Sequence, residues 1–565
     1  MKKIQSKSIL KFAALVAMAG IYSSAFSQIK VYQTSGDSIR LRDMGDAQII
    51  GNTVGAMLVL DANTTFQTID GFGFAVTEGS AEAIRTLSAA DQTKILTEIF
   101  DPVKGNGVSI ARISLGASDL SSSCYSYDEN DDASLSKFSL NGPDLDNLIP
   151  VLKQIKAINP NIKFLATPWS APRWMKFNND WVGGYLRNNL YDAYANYFMK
   201  YLAAMKAQGL NIWAISIQNE PTNNTNGPSM QMSSSDQKTF VNNYFGPKLR
   251  ASEFKDVKII VYDHNCDNTA YPIDVLSNSD YADGAGFHLY KGDISALSTV
   301  HNAVPSNKRL YFTEQSSPPT TDFVGDLIWH GINITVGSLN NWASGVLEWN
   351  LASYSNWDPN SHTGSACSNC QGALTIDQGK IIKRKLAYYT ISHFSKFVKP
   401  NAKRIKISGG KSGLYAVAFI NPDGSGALVT QTDGGSKVFY GAVKVDLGSG
   451  KAFTVWINGG ALQTFSLPVG AFNKSVGVGI DNISNADAEK ILVYPNPVND
   501  QLTINSGDLK VESVRISDLL GRTVYSNNTS MTGNNSLNLP SLEKGTYFLN
   551  LSTKNSNVTK KLFVE

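Results

Sequence analysis

Between residues 66 and 394, short apolar runs alternate with longer stretches whose apolar positions recur at helical spacing. That alternation predicts a series of βα repeats. The runs span 108–116, 163–170, 212–220, 257–265, 285–290, 309–316 and 345–352, and the segment around Ile69-Asp70-Gly71-Phe72-Gly73 supplies an eighth. Eight parallel strands with intervening helices close into a (β/α)8 barrel, an α/β fold. Most runs begin apolar and end in polar or aromatic residues, as barrel strands do where their carboxyl ends open into a site. The flanks read differently. Residues 28–65 carry strand-like patches, and residues 395–480 show Gly-punctuated alternation such as LYAVAFI (414–420) and KAFTVWI (451–457). This predicts a side β-sandwich that the N-terminal strands complete. A polar linker (481–490) then leads to a small C-terminal β-module, 491–565.

At 565 residues the chain is long enough for two or three domains, and a 42% hydrophobic content supports a large core. Residues 1–27 read as an export signal. Lys2, Lys3, Lys7 and Lys11 accompany an apolar run, 12–22, too short to span a bilayer, and Ala25-Phe26-Ser27 is a small-x-small cleavage site. Those 27 residues hold four lysines and no acid, so without them the formal net charge of +3 becomes −1. Nothing in that balance points to nucleic acid or an anionic membrane surface as a partner. Of the four cysteines, Cys367 and Cys370 could close a short disulfide loop in an exported protein. Cys124 and Cys266 stand alone, no zinc-type second pair is present, and no metal site is expected.

Two carboxylates stand out. Glu220, in Gln218-Asn219-Glu220-Pro221, ends an apolar run that the proline prevents from continuing. Glu314, in Thr313-Glu314-Gln315, ends another. One glutamate at a strand end is ordinarily a rim residue; two, on the fourth and seventh strands, suit glycoside hydrolysis. Retention of configuration needs two carboxyl groups about 5 Å apart, one attacking the anomeric carbon and one protonating the leaving oxygen. On this reading Glu314 is the nucleophile and Glu220 the acid/base, with Asn219 placed to bind the sugar 2-hydroxyl. Trp169, Tyr290 and Trp349, all at expected strand ends, offer flat faces for a pyranose ring. Arg112, a charge inside an apolar strand, is either a structural ion pair or the group that orients a catalytic carboxylate. His288 reads equally as a substrate contact or a hydrogen-bonded core histidine.

These stretches resemble glycoside hydrolase family 30, the group of glucosylceramidases, β-1,6-glucanases and related enzymes. The similarity runs in order through Gly71-Phe72-Gly73, Thr77-Glu78, Arg112-Ile113-Ser114, Thr167-Pro168-Trp169-Ser170, Asn219-Glu220-Pro221, Tyr262-Asp263-His264-Asn265, His288, Thr313-Glu314 and Trp349-Asn350-Leu351. The resemblance implies a barrel with a side sandwich, retention of configuration and no cofactor. Its catalytic positions fall on Glu220 and Glu314, and its sugar-binding positions on Glu78, Trp169, Asn219, Tyr290 and Trp349. Many relatives have Asp where this chain has Glu78. The insert around Cys367-Ser368-Asn369-Cys370 is a second departure, placed to shape the entrance.

The terminal module resembles the C-terminal sorting domain of the type IX secretion system, through Val493-Tyr494-Pro495-Asn496-Pro497, Asp518-Leu519-Leu520-Gly521-Arg522 and Lys544-Gly545-Thr546-Tyr547. A small adhesive sandwich is the plainer alternative. Together the two resemblances imply a protein exported by signal peptide and type IX secretion, secreted or held at the cell surface, with that machinery as partner. Its expected reaction is hydrolysis of β-linked glucosides, with β-1,6-glucan or its branches as the first candidate and glucosylceramide as the alternative. A non-catalytic carbohydrate-binding surface protein is the reading of a different class, and retention of both glutamates counts against it.

Overall fold

The computed structural model describes residues 28–36, 38–140, 142–317, 322–355, 371–434, 441–473, 491–518, 522–553 and 557–565. The expected export signal (1–27), Cys367 and Cys370, the expected linker (481–490), and Leu519-Leu520-Gly521 lie outside the described residues. The chain divides into two compact units, 1–474 and 475–565.

In the first unit eight strands form a closed barrel: β1 (Gly71–Val76), β2 (Ile110–Ser114), β3 (Lys163–Thr167), β4 (Ile212–Ser216), β5 (Lys258–Cys266), β6 (Gly284–Gly292), β7 (Arg309–Glu314) and β8 (Ala343–Glu348). Neighbours in sequence are neighbours in the barrel, all parallel, and β8 closes on β1. The strands are buried on both faces, which is why they read as short apolar runs rather than as alternation. Ile110, Leu165, Ala214, Ile260, Tyr311 and Leu347 interleave inside the barrel as a packed layer. At the amino-terminal end Asp70 plugs the bottom, bound by Lys163 Nζ (2.7 Å), Arg309 Nη1 (2.8 Å) and the Tyr311 hydroxyl (2.9 Å). These ions sit opposite the mouth, so polar chemistry at the carboxyl ends is separate from the plug.

Beside the barrel lies a nine-stranded β-sandwich sheet built from both ends of the unit. Leu58–Thr68 pairs with Lys403–Gly409, and Gln28–Thr34 pairs antiparallel with Leu462–Leu467. Leu58–Thr68 crosses position 66 and delivers the chain almost directly into β1. Its core, including Ile29, Leu60, Leu428, Phe453 and Phe465, is distinct from that of the barrel. The second unit has a three-stranded and a four-stranded sheet around Leu502, Ile504, Val514, Ile516, Leu549, Leu551 and Leu562. No helix among the described residues is long and apolar enough to cross a membrane.

Candidate active site

A cavity of about 490 Å³ opens at the carboxyl ends of the strands, lined among others by Asp119, Glu220, Asn223, Asn226, His264, Tyr290, Glu314 and Trp349. Its floor is organised by Arg112, in the middle of β2 and wholly buried. A buried guanidinium costs several kcal/mol unless paired. Here Nη1 donates to Glu314 Oε2 (2.6 Å), and Nη2 to Asn219 Oδ1 (2.6 Å) and Asp263 Oδ2 (3.1 Å). The indoles of Trp169 and Trp349 cover the same guanidinium, with centroids at 4.9 and 6.0 Å. Burial opposes ionisation of Asp263, but Arg112 and His288 outweigh it and hold the carboxylate well below its usual range.

Asp263 reaches the floor because β5 is bulged. Tyr262 and Asp263 have φ of 66° and 62°, and the register against β6 shifts between Tyr262 and His264. Glu220 is also left-handed (φ 47°), and its N–H donates to the Asp263 carbonyl at 3.0 Å. Such non-glycine conformations cost about 1–3 kcal/mol each and persist where surrounding contacts impose them. The bulge and the turn at Glu220-Pro221 are therefore one device that aims Glu220 into the cavity.

Glu220 faces Glu314 there. One carboxylate oxygen of each, with a His288 ring nitrogen, lie within 4.8 Å of one another. Asn223 Nδ2 donates to Glu220 Oε2 (2.7 Å), and the Tyr290 hydroxyl donates to Glu314 Oε1 (3.1 Å). His288 bridges Glu220 Oε1 and Asp263 Oδ1, both at 3.2 Å. Burial lowers the His288 pKa, yet Glu314, Asp263 and Glu220 raise it to about 9. Burial raises Glu220, but the hydrogen bond and charge of His288 bring it down to about 2. These two shifts describe one proton, held on the histidine side of the 3.2 Å contact. Moved across, it makes Glu220 a neutral acid. Burial and the charge on Glu220 push Glu314 up, against His288 and Arg112. Its oxygens nevertheless meet two fixed donors, Arg112 and Tyr290, which favour the ionised form, and that is the state we assign to it.

The donor atoms of Glu220, His288 and Glu314 could in principle hold a cation. Each is already bonded to a protein group, and the Arg112 guanidinium 2.6 Å from Glu314 repels a divalent ion. The set fits a proton-transfer pair better than a metal centre.

Of the other residues picked from sequence, Arg112, Asn219, His288, Tyr290 and Trp349 converge on the two glutamates. Trp169 stands behind Arg112 and against Trp349 (5.4 Å) and, unlike Trp349, is not among the cavity-lining residues, so it backs the site. Glu78 is fully buried and is not among the cavity-lining residues. Thr77 caps the following helix, Glu78–Arg85, which turns Glu78 towards Asn147 Nδ2 (2.8 Å) and Ser122 N (3.3 Å). It braces the 118–123 loop.

That loop carries a residue the sequence reading did not select. Asp119 lines the cavity with its Oδ1 buried and without a hydrogen-bond partner among the described residues. Burial, then the charges of Glu314 and Glu220, push its pKa to about 8, so at neutral pH it carries a proton to donate. Asp263 and His264 were also missed as site residues. His264 meets Thr222 Oγ1 at 2.8 Å through Nδ1, and burial lowers its pKa to about 4, leaving it neutral. Cys124 and Cys266 are both free thiols.

The raised histidine makes a prediction. Protonated His288 stabilises the fold fully below its ordinary value of 6.5, and that stability is lost as pH rises through about 9. Asp119, raised from 3.8 to about 8, loses stability in the same direction. The melting temperature should therefore fall from pH 6.5 to 9, and less steeply in His288→Gln. A parent curve that is flat over this interval contradicts the assignment.

Three comparisons place this geometry among known proteins. Residues 69–398 match the glycosyl hydrolase family 30 TIM-barrel domain, 401–465 the β-sandwich domain of that family, and 492–565 a secretion system C-terminal sorting domain. The endo-1,6-beta-D-glucanase neg1 of Aspergillus fumigatus is 36% identical over 431 residues, covering 71% of this chain and 85% of that protein. The lysosomal acid glucosylceramidase of Mus musculus is 29% identical over 419 residues, 68% of this chain and 79% of that one. The solved endo-beta1,6-glucanase BT3312 superposes with a TM-score of 0.72 at 32% identity, over 78% of this chain and 99% of its own. A closed parallel barrel, a paired-carboxylate cavity and a family match over most of the first unit leave one assignment: the chain belongs to glycosyl hydrolase family 30, a glycoside hydrolase that carries a secretion sorting domain.

Proposed function

We propose that the protein cleaves β-1,6-glucan outside the cell by double displacement, with Glu314 as nucleophile and Glu220 as acid/base. The observation that carries the reading is the pair of carboxylates within 4.8 Å, a separation suited to retention. Arg112 fixes Glu314 Oε2, and Oε1, steadied by the Tyr290 hydroxyl, attacks the anomeric carbon. Glu220, taking the proton it shares with His288, gives it to the departing glycosidic oxygen. The resulting glycosyl ester on Glu314 is then hydrolysed by a water that Glu220 deprotonates, restoring the configuration. Asn219, whose carbonyl is taken by Arg112, keeps its NH₂ to donate to the sugar 2-hydroxyl, and Asp119 is a further partner for glycone hydroxyls.

The linkage rests on the relatives named endo-1,6-glucanases and on the rim. Thr222, Asn223, Asn224, Thr225, Asn226, Asp267 and Lys291 make the described rim polar, which suits a polysaccharide and offers ceramide chains little apolar surface. Export by the N-terminal signal and type IX secretion is part of the same proposal, supported by the sorting-domain match and by the signal-like composition of residues 1–27. Purified protein incubated with β-1,6-, β-1,3- and β-1,4-glucans should release oligosaccharides from the first at least ~10-fold faster, a barrier difference of about 1.4 kcal/mol. Release of glucose from dispersed glucosylceramide, with none from β-1,6-glucan, would reverse the choice.

A further inference from the structure

Beyond the catalytic cavity the barrel mouth carries a second concavity, of about 200 Å³, lined by Phe177, Tyr185, Asn188, Gln231 and Asp236 above a base of Leu186, Tyr191 and Met232. Phe177 and Tyr185 are unusual for aromatic side chains in being 67% and 47% exposed. They are opposite one another on a short antiparallel ribbon: Lys176 bridges Leu186, and Phe177 N–H donates to the Tyr185 carbonyl at 2.9 Å. Directly opposed residues on such a ribbon project to one face. Buried hydrogen bonds anchor the ribbon. The Lys176 ammonium, wholly buried, donates to the carbonyls of Trp181 (3.1 Å), Gly183 (2.9 Å) and Ser229 (2.9 Å).

The last of these carbonyls belongs to the loop after β4. The start of that loop, Thr222–Asn226, lines the catalytic cavity, and its end, Gln231 and Met232, lines the second concavity. Gln231 N–H donates to the Gly184 carbonyl (2.8 Å), locking the loop to the aromatic ribbon. One wall therefore serves both hollows. Among the described residues no lysine or arginine lines the second, and Asp236 does, so its chemistry disfavours anions. Exposed aromatic faces with amides at the edge suit a neutral polyhydroxylated ring.

We propose that this concavity is a secondary binding site for a β-glucan chain, holding a stretch of the polymer that extends beyond the catalytic cavity. It deepens the proposed function and rests on that reading for the identity of the polymer. Three readouts on the full chain test it. Replacing both rings (Phe177→Ala with Tyr185→Ala) should raise KM for long-chain β-1,6-glucan by roughly tenfold, the factor that 1.4 kcal/mol represents. Turnover of a small aryl β-glucoside should stay unchanged, and Phe177→Trp should retain the parental KM. In native gels containing soluble glucan, the Glu314→Gln protein should be retarded and the double ring variant in that background should migrate with about tenfold weaker apparent affinity.

Equal losses on polymer and aryl glucoside, or an unchanged KM on polymer, overturn the proposal. So does retardation that is the same with and without the rings, or no retardation by β-1,6-, β-1,3- or β-1,4-glucan. Should the parent fail to cleave β-1,6-glucan while ring-dependent retardation persists, the functional reading falls and the binding site stands.

Discussion

Glu314→Gln is expected to lower kcat on β-1,6-glucan by ~10⁴-fold or more, because the amide cannot form the glycosyl ester and, among the described residues, no other carboxylate is placed to substitute. Asp119 and Asp263 are the nearest alternatives by burial and charge. Asp263 is tied to Arg112, His288, Ser216 and Thr313, and Asp119 is expected to be neutral. The fold should tolerate the change, since Gln keeps an oxygen for Arg112. Glu314→Ala opens a gap on the nucleophile side, so azide with an activated aryl glucoside should give the inverted α-glycosyl azide by a single displacement. Residual activity within tenfold of the parent on glucan would remove Glu314 from the nucleophile role.

Glu220→Ala should behave differently according to the leaving group. Protonation of the departing oxygen contributes ~10²–10⁴-fold for a sugar alcohol and little for an acidic phenol. Activity on glucan should drop by that amount, while an activated aryl glucoside still forms the glycosyl ester and waits for a base to release it. Azide then accelerates turnover, and two displacements leave the β-glycosyl azide. Measuring product anomers for both variants fixes the two roles together: exchange of the α and β outcomes would exchange the assignments. The Glu220–His288 contact adds a further distinction, since loss of the carboxylate removes one of the groups that raise His288. The alkaline fall in melting temperature should begin at lower pH in this variant.

Much of this was legible in the chain itself. Barrel strands buried on both faces are apolar runs of five to nine residues, and each of the eight lies within a few residues of its expected place. Glu220 announces itself because a proline ends its run, and Arg112 because a charge inside an apolar strand demands partners. What escaped detection has a physical reason in each case. Reading β5 by alternation fails at Tyr262-Asp263, where the bulge turns Asp263 inward, and no residue there is a glycine to signal positive φ. Asp119 sits in a serine-rich loop with no periodicity from which to infer its direction. Glu78 was carried to the cavity by resemblance, whereas the helix that Thr77 caps turns it towards Asn147 and Ser122. Flat aromatic faces were expected from Trp169 as from Tyr290. Only the latter keeps substantial exposure, at 40%, because Trp169 is consumed in covering the arginine.

The pairing of Gln28–Thr34 with Leu462–Leu467 makes the first unit a loop tied at its own ends. The earliest described strand pairs on one side with Arg42–Gln48, close by in the chain, but its other neighbour lies some 430 residues further on, so that flank stays open until Leu462–Leu467 has been synthesised. Once sealed, it works as a clasp. A single cut in a barrel loop leaves two fragments still held together by hydrogen bonds, and removing the chain through Thr34 strips Leu462–Leu467 of one flank and bares a strand edge to unwanted partners.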